Sequence, residues 1–383
     1  MRFAIIGDHP EAAFLAESVH RSAQHQLVDC CVDGDLAVAM TNRGIPFTLA
    51  PSHDDAILNS NVDVVVVAIR DVDSSVAMVR RASQEDVHVV AVPPDDVSTA
   101  YSFELNVLLD EGKVGIVVLT GRWYAVPGWE SLAPADVERL QQIRMTLPMA
   151  DEAKLQWRRQ LHAIDAVCGS GLVFSRVTGM DLTGADEKVL SRTVTLAASD
   201  VSETKVPPAT ITFNDEQSTD YQIRLADPNG TETLLPVSLP DPATATDFGR
   251  SQTMLDQLVI QLADKSGCQV AMEQFSNTLE ICQGLEKSFR RRRTVDVYFD
   301  GVSERAVFKT QMTAIGCGVL TYVIFGMLTF LVVAQVFNPP PLLLQIGRAV
   351  WIAPVVIFLL AQLLLPLTRD RATRRSEGVE ENH

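Results

Sequence analysis

From Thr310 to Gly347 the chain carries no charged side chain. A backbone placed in hydrocarbon must satisfy every N–H and C=O internally, so such a run enters a bilayer only as helix. Two segments, 312–337 and 349–367, each reach the roughly 20 residues that cross ~30 Å of hydrocarbon. Between them Asn338, Pro339, Pro340 and Pro341 stop a helix and make a turn. Arg290 to Arg293, Arg305 and Lys309 precede the first segment. Arg369, Arg371, Arg374 and Arg375 follow the second, whereas the connection holds Arg348 alone. Basic flanks stay on the cytoplasmic side. The sequence therefore predicts a transmembrane helical hairpin over 309–368, with the preceding bulk and a tail over 369–383 facing the cytoplasm. Tyr322 and Trp351 suit the two interfaces. A buried hairpin of a soluble domain is the alternative reading of the same runs.

The chain has 383 residues, more than one ordinary core absorbs, so two soluble domains are expected before the hairpin, over 1–120 and 121–308. A net charge of −16 argues against a nucleic-acid partner, because phosphates need a basic surface. Cys30, Cys31, Cys168, Cys268, Cys282 and Cys317 form no C-x-x-C pair and no His/Cys cluster with zinc spacing. No metal is expected, and the thiols read as reduced.

The first third alternates apolar runs with amphipathic ones. Arg2–Ile6, Gln26–Val32, Val62–Ile69, His88–Val92 and Val114–Leu119 read as strands, with a short one at Pro46–Leu49. Helical patterns lie between them, at Pro10–Ser22, Asp35–Asn42, Ser74–Ser83 and Thr99–Glu111. This predicts an α/β fold with a Rossmann-like, doubly wound parallel sheet. Ligands of such sheets lie beyond the carboxyl ends of the strands, with a pyrophosphate at the first strand-to-helix turn. That turn is Gly7-Asp8-His9-Pro10-Glu11-Ala12. It keeps one glycine of the G-x-G-x-x-G pattern and puts His9 where the backbone should approach phosphate. Asp33, ending the second strand, stands where a carboxylate binds ribose hydroxyls. Gly7, Asp8, His9, Asp33 and Ala68 are the candidate cofactor residues. A Rossmann-like scaffold without nucleotide is the other reading.

The order of elements resembles the Gfo/Idh/MocA (glucose–fructose oxidoreductase, inositol dehydrogenase) family over roughly residues 1–300. Arg2-Phe-Ala-Ile-Ile-Gly7 with Asp33 carries the resemblance first. Asn61 to Ile69 looks like the family strand that ends over the nicotinamide. Val87-His-Val-Val-Ala-Val-Pro-Pro94 looks like the stretch with the Glu-Lys-Pro signature. Leu161-His162-Ala-Ile-Asp165 is similar to the His-x-x-Asp motif of the second domain. The resemblance implies a second, α+β domain with an open, mainly antiparallel sheet for substrate or oligomerisation, and Thr210–Leu239 alternates accordingly. A homo-oligomer is thus among the expectations. It also implies NAD- or NADP-dependent chemistry on sugar- or polyol-like substrates. Here Pro93 stands in the place of the signature lysine and Val92 in that of the glutamate. A proline neither gives a proton nor offers a charge.

Two functions follow as expectations. One is a membrane-tethered oxidoreductase in which His162 is the acid/base, since an imidazole titrates near neutrality, with Asp165 one turn away to assist. Its dinucleotide would bind weakly, NAD in preference to NADP because Asp33 repels a 2′-phosphate. The other is a non-catalytic nucleotide-binding or scaffold relative. For each side chain singled out the plainer role competes: His162 packing in a helix, Asp165 making a local contact, Trp123 and Tyr124 filling a core, and Arg290–Arg293 closing a helix rather than meeting anionic lipid.

Overall fold

The valine run at Val64–Ala68 forms the middle of a parallel sheet and is buried at every position, as a strand covered on both faces must be. In the computed structural model this strand is β4. The structure describes residues 1–58, 61–129, 137, 139–169, 171–184, 188–198, 206–214, 222–237, 248–297, 322, 325 and 326. The other strands of the sheet are β1 (Arg2–Gly7), β2 (Gln26–Val32), β3 (Thr48–Leu49), β5 (His88–Ala91) and β6 (Ile116–Val118). Their order is β3-β2-β1-β4-β5-β6, all parallel. This is the doubly wound arrangement that the alternation predicts, with its switch in direction between β1 and β4. The intervening helices are α1 (Ala12–Arg21), α2 (Gly34–Asn42), α3 (His53–Leu58), α4 (Val72–Gln84) and α5 (Thr99–Glu111). Helix α3 is the element that the pattern misses, because six residues hold too few turns to show a period.

The chain continues through α6 (Gly121–Trp129), β7 (Gln142–Pro148), α7 (Ala153–Cys168), β8 (Arg176–Thr183), β9 (Val189–Ala197), β10 (Ala209–Asn214), β11 (Gln222–Ala226) and β12 (Glu232–Pro236). Helices α8 (Phe248–Ala263) and α9 (Lys265–Arg291) and strand β13 (Val295–Asp296) follow. The second sheet runs β12-β11-β7-β10-β9-β8-β13. It is mixed: β7 and β10 pair in parallel and the other neighbours are antiparallel. Ile143, Met145 and Leu147, Ile211 and Phe213, and Ile223 and Leu225 alternate with less buried residues, which gives one covered face at period two. Helix α9 lies on this layer at β8, where Gly179 leaves room for Leu285 and Phe289.

Residues Met1–Gly301 make one unit and Val302–His383 another. Among the described residues no helix is long and apolar enough to cross a membrane. The predicted hairpin 309–368, apart from 322, 325 and 326, and the tail 369–383 lie outside the described residues.

Candidate functional site

The switch between β1 and β4 brings Gly7 opposite Ala68. Gly7 has φ +116°, and a Cβ there would stand 2.1 Å from the Ala68 carbonyl oxygen, so only glycine fits. The Ala68 carbonyl accepts the N–H groups of both Asp8 and His9, each at 2.9 Å. Pro10 has no N–H. The Glu11 N–H donates to His9 Nδ1 at 3.3 Å. Those of Ala12, Ala13 and Phe14 donate to the carbonyls of His9, Pro10 and Glu11. Every backbone donor from Asp8 to Phe14 thus has an acceptor inside the protein. A phosphate at a helix start needs such donors free.

Glu11, the residue that opens α1, makes no capping bond with its side chain and gives its carboxylate to α7. Glu11 is 9 % exposed, and its Oε1 lies 3.1 Å from His162 Nε2 on α7. Its Oε2 forms an ion pair with Arg158 Nη1 at 3.1 Å. Burial works to raise the Glu11 pKa, but the Arg158 guanidinium and the His162 hydrogen bond outweigh it and hold the carboxyl well below the usual range. Arg158 Nη2 donates to the Pro93 carbonyl at 2.9 Å and to Asp95 Oδ1 at 3.1 Å. His9 Nε2 stands 3.7 Å from the same Asp95 oxygen. Burial pushes the His9 pKa down to about 4, so the ring is neutral at physiological pH. Tyr124 meets the His162 ring edge to face at 5.8 Å between centroids. The result is one cluster, with Glu11, His9, Arg158 and His162 buried and Asp95 half-buried at its edge, that ties the carboxyl ends of β1 and β5 to α7. Beside it opens a cavity of about 410 Å³ between the β5–α5 loop, α7 and α9, whose walls include Asp95, Trp157, Gln283 and Glu286.

Asp33 lies exposed at the end of β2, caps nothing with its side chain, and is joined to the turn by its N–H bond to the Gly7 carbonyl at 3.1 Å. Asp8 Oδ1 accepts the Arg70 N–H at 3.2 Å, and the Arg70 guanidinium pairs with Asp8 and Asp35. The mouth of the crevice therefore presents Asp8, Asp33 and Asp35 around Arg70. These residues do not fit the pyrophosphate of NAD: the donors are spent, the His9 ring fills the turn, and the nearby cations Arg158 and Arg70 are already paired with carboxylates.

His162 and Asp165 share a helix but not a site. Asp165 is wholly buried. Its Oδ2 accepts from Thr120 Oγ1 at 2.5 Å, the Arg122 N–H at 2.8 Å and Arg122 Nε at 3.2 Å. Its Oδ1 accepts from Arg122 Nη2 at 2.8 Å and Thr278 Oγ1 at 2.9 Å. Burial opposes the charge, yet Arg122 and these donors keep the pKa below the ordinary value. No acceptor capacity is left for a substrate or for His162. The close approach is built by Gly121, where a Cβ would stand 1.7 Å from the His162 carbonyl oxygen, so α6 lies directly on α7. Trp123 and Tyr124, read as core or sugar-stacking rings, are buried at 5 % and 2 % exposure. Glu11 and Arg158 escape a reading of the sequence. Arg158 precedes His162 by one helical turn and shares its face, which is the signal that points to it.

No family model and no curated protein sequence matches the chain. Solved structures do. A Sinorhizobium meliloti protein described as a myo-inositol dehydrogenase superposes with a TM-score of 0.59 at 13% identity, covering 78% of this chain and 100% of its own. The myo-inositol dehydrogenase of Lactobacillus casei, solved in complex with NAD(H) and myo-inositol, gives 0.58 at 12% identity, over 78% and 97%. That of Corynebacterium glutamicum gives 0.57 at 14% identity, over 78% and 99%. The chain has the fold of the inositol dehydrogenases, a parallel doubly wound sheet followed by a mixed sheet.

Proposed function

We propose that this chain is a Gfo/Idh/MocA relative that keeps the dehydrogenase fold, has given up hydride transfer, and serves as a small-molecule-binding or scaffold domain tethered to the cytoplasmic face of a membrane. The observation that carries the reading is Glu11. Its residue opens α1 and its carboxylate is taken by Arg158 and His162, while each N–H of the turn is already bonded. A crevice built in this way has no seat for a dinucleotide. Pro93, at the lysine's place, gives its carbonyl to Arg158. The tether rests on the two uncharged segments and their arginine flanks. Titration calorimetry of the detergent-solubilised full chain with NAD(H) and NADP(H) tests the reading, which expects no saturable binding.

An NAD-dependent oxidoreductase acting on an inositol-like polyol is the second reading. The inositol dehydrogenase fold and the exposed Asp33 at the end of β2 favour it. It requires His162 to leave Glu11 and take a substrate proton. It predicts turnover with polyols that His162→Ala abolishes, since a single acid/base is worth about 10²–10⁴-fold.

A further inference from the structure

Helix α9 ends in a run of cations. Lys287, Arg290, Arg291, Arg292 and Arg293 are all exposed, and Arg292 takes the left-handed conformation that terminates the helix at φ 50°. Such a run is unusual in a chain whose net charge is −16. The carboxylates of the elements packed on this end of α9 are engaged elsewhere. Asp296 on β13 pairs with Arg176 at 3.1 Å. Asp181 on β8 is gripped by Arg192 through two bonds of 2.7 Å, with the Arg192 guanidinium stacked 4.3 Å over Phe289. Thr178 and Thr294 bond each other across the same edge. Glu286 is the one acid of the last turns of α9. Among the described residues no carboxylate pairs with the guanidinium groups of Arg290–Arg293.

Four adjacent guanidinium groups repel one another, and a helix end needs only about one such charge to complement its dipole. The surplus calls for an anionic partner. We infer that Arg290–Arg293 docks on anionic lipid headgroups of the membrane that anchors the chain. The inference rests on the tether proposed above, because the uncharged run begins at Thr310 and so keeps the patch within a short length of chain from the bilayer. Basic segments beside a membrane anchor are drawn to anionic leaflets in this way. Nucleic acid fits less well, since the rest of the surface is acidic.

The full chain reconstituted in nanodiscs of phosphatidylcholine alone, or of phosphatidylcholine with phosphatidylglycerol, provides the test. Phenylglyoxal modification of each arginine is followed by peptide mass spectrometry. Arg290–Arg293 should react several-fold more slowly in the anionic discs, the difference should shrink at high salt, and the exposed Arg144 should react alike in both. Equal rates for Arg290–Arg293 in the two discs overturn the inference and leave the tether standing. Failure of the chain to enter discs at all removes the tether and this inference with it. Protection of the four arginines by single-stranded RNA in detergent, without protection by phosphatidylglycerol, assigns the patch to nucleic acid and also overturns it. The R290Q/R291Q/R292Q/R293Q variant should enter discs normally and raise the reactivity of none of the remaining arginines; if it no longer inserts, the patch belongs to the anchor and the inference fails.

Discussion

Glu11 Oε1 lies 3.1 Å from His162 Nε2, and this contact joins the first strand-to-helix turn to a helix of the second layer. It defines the state of the cleft. The residue most suited to acid/base chemistry is held by a buried carboxylate that belongs to the protein itself.

Arg158 is the keystone of that cluster, and its removal should be costly. Breaking a buried ion pair by deleting one partner typically costs about 3–5 kcal/mol, because the remaining charge stays buried. Arg158→Met should therefore lower stability by about that amount, with the Glu11 carboxylate left on His162 without its guanidinium partner. Glu11→Leu combined with Arg158→Met should recover a good part of the loss, since apolar replacement of a whole pair is often tolerated. Urea unfolding followed by tryptophan fluorescence measures both. Strict additivity of the two single losses would mean that the pair is not coupled.

His9 gives the fold a dependence on pH. Burial lowers its pKa from 6.5 to about 4, with Arg158 adding to the shift and Glu11 and Asp95 opposing it. The unfolded chain then binds a proton that the native state refuses between pH 6.5 and about 4. Stability is complete above this window and is lost as pH falls through it, at no more than ~1.4 kcal/mol per unit. Melting temperatures of wild type and His9→Gln, compared from pH 7 to pH 4, should diverge from their pH 7 difference, with wild type losing more. Parallel curves would place the titration elsewhere.

Asp165 is predicted to be structural. Five donors converge on its two oxygens, and Asp165→Asn would set an NH₂ group against Thr120 or Arg122. A loss of about 3 kcal/mol or more is expected. Any ligand affinity measured on the folded fraction should not change. A folded Asp165→Asn protein of wild-type stability would refute this role.

Much of the scaffold is legible in the sequence because its signals are local. Strands β1, β2, β4, β5 and β6 are short apolar runs with turn residues after them, and helices α1 and α4 show their period plainly. The mixed pairing of the second sheet is not legible: the alternation in Ala209–Asn214 marks a strand, yet nothing in it states that β10 runs parallel to β7. The site divides in the same way. Gly7, Asp33 and His162 stand out through local context. The contact between Glu11 and His162 links residues 151 apart, and Glu11 read alone is an ordinary acid at a helix start. Asp165 looks catalytic by its spacing from His162, and only the packing of Gly121 against α7 brings Arg122 to claim it.

On the proposed reading, the protein's own side chains close the cleft to dinucleotides. His9→Gly alone would release the Glu11 N–H but leave the Glu11 carboxylate and the two N–H groups held by Ala68. Calorimetric titration of NADH into the full-length wild-type chain, with the Glu11→Ala/His9→Gly variant alongside, tests this most directly. No saturable binding to wild type is expected up to millimolar NADH, with a measurable gain in the variant. Saturable micromolar binding to the wild type, weakened by Asp33→Ala, would contradict it and establish the oxidoreductase reading in its place.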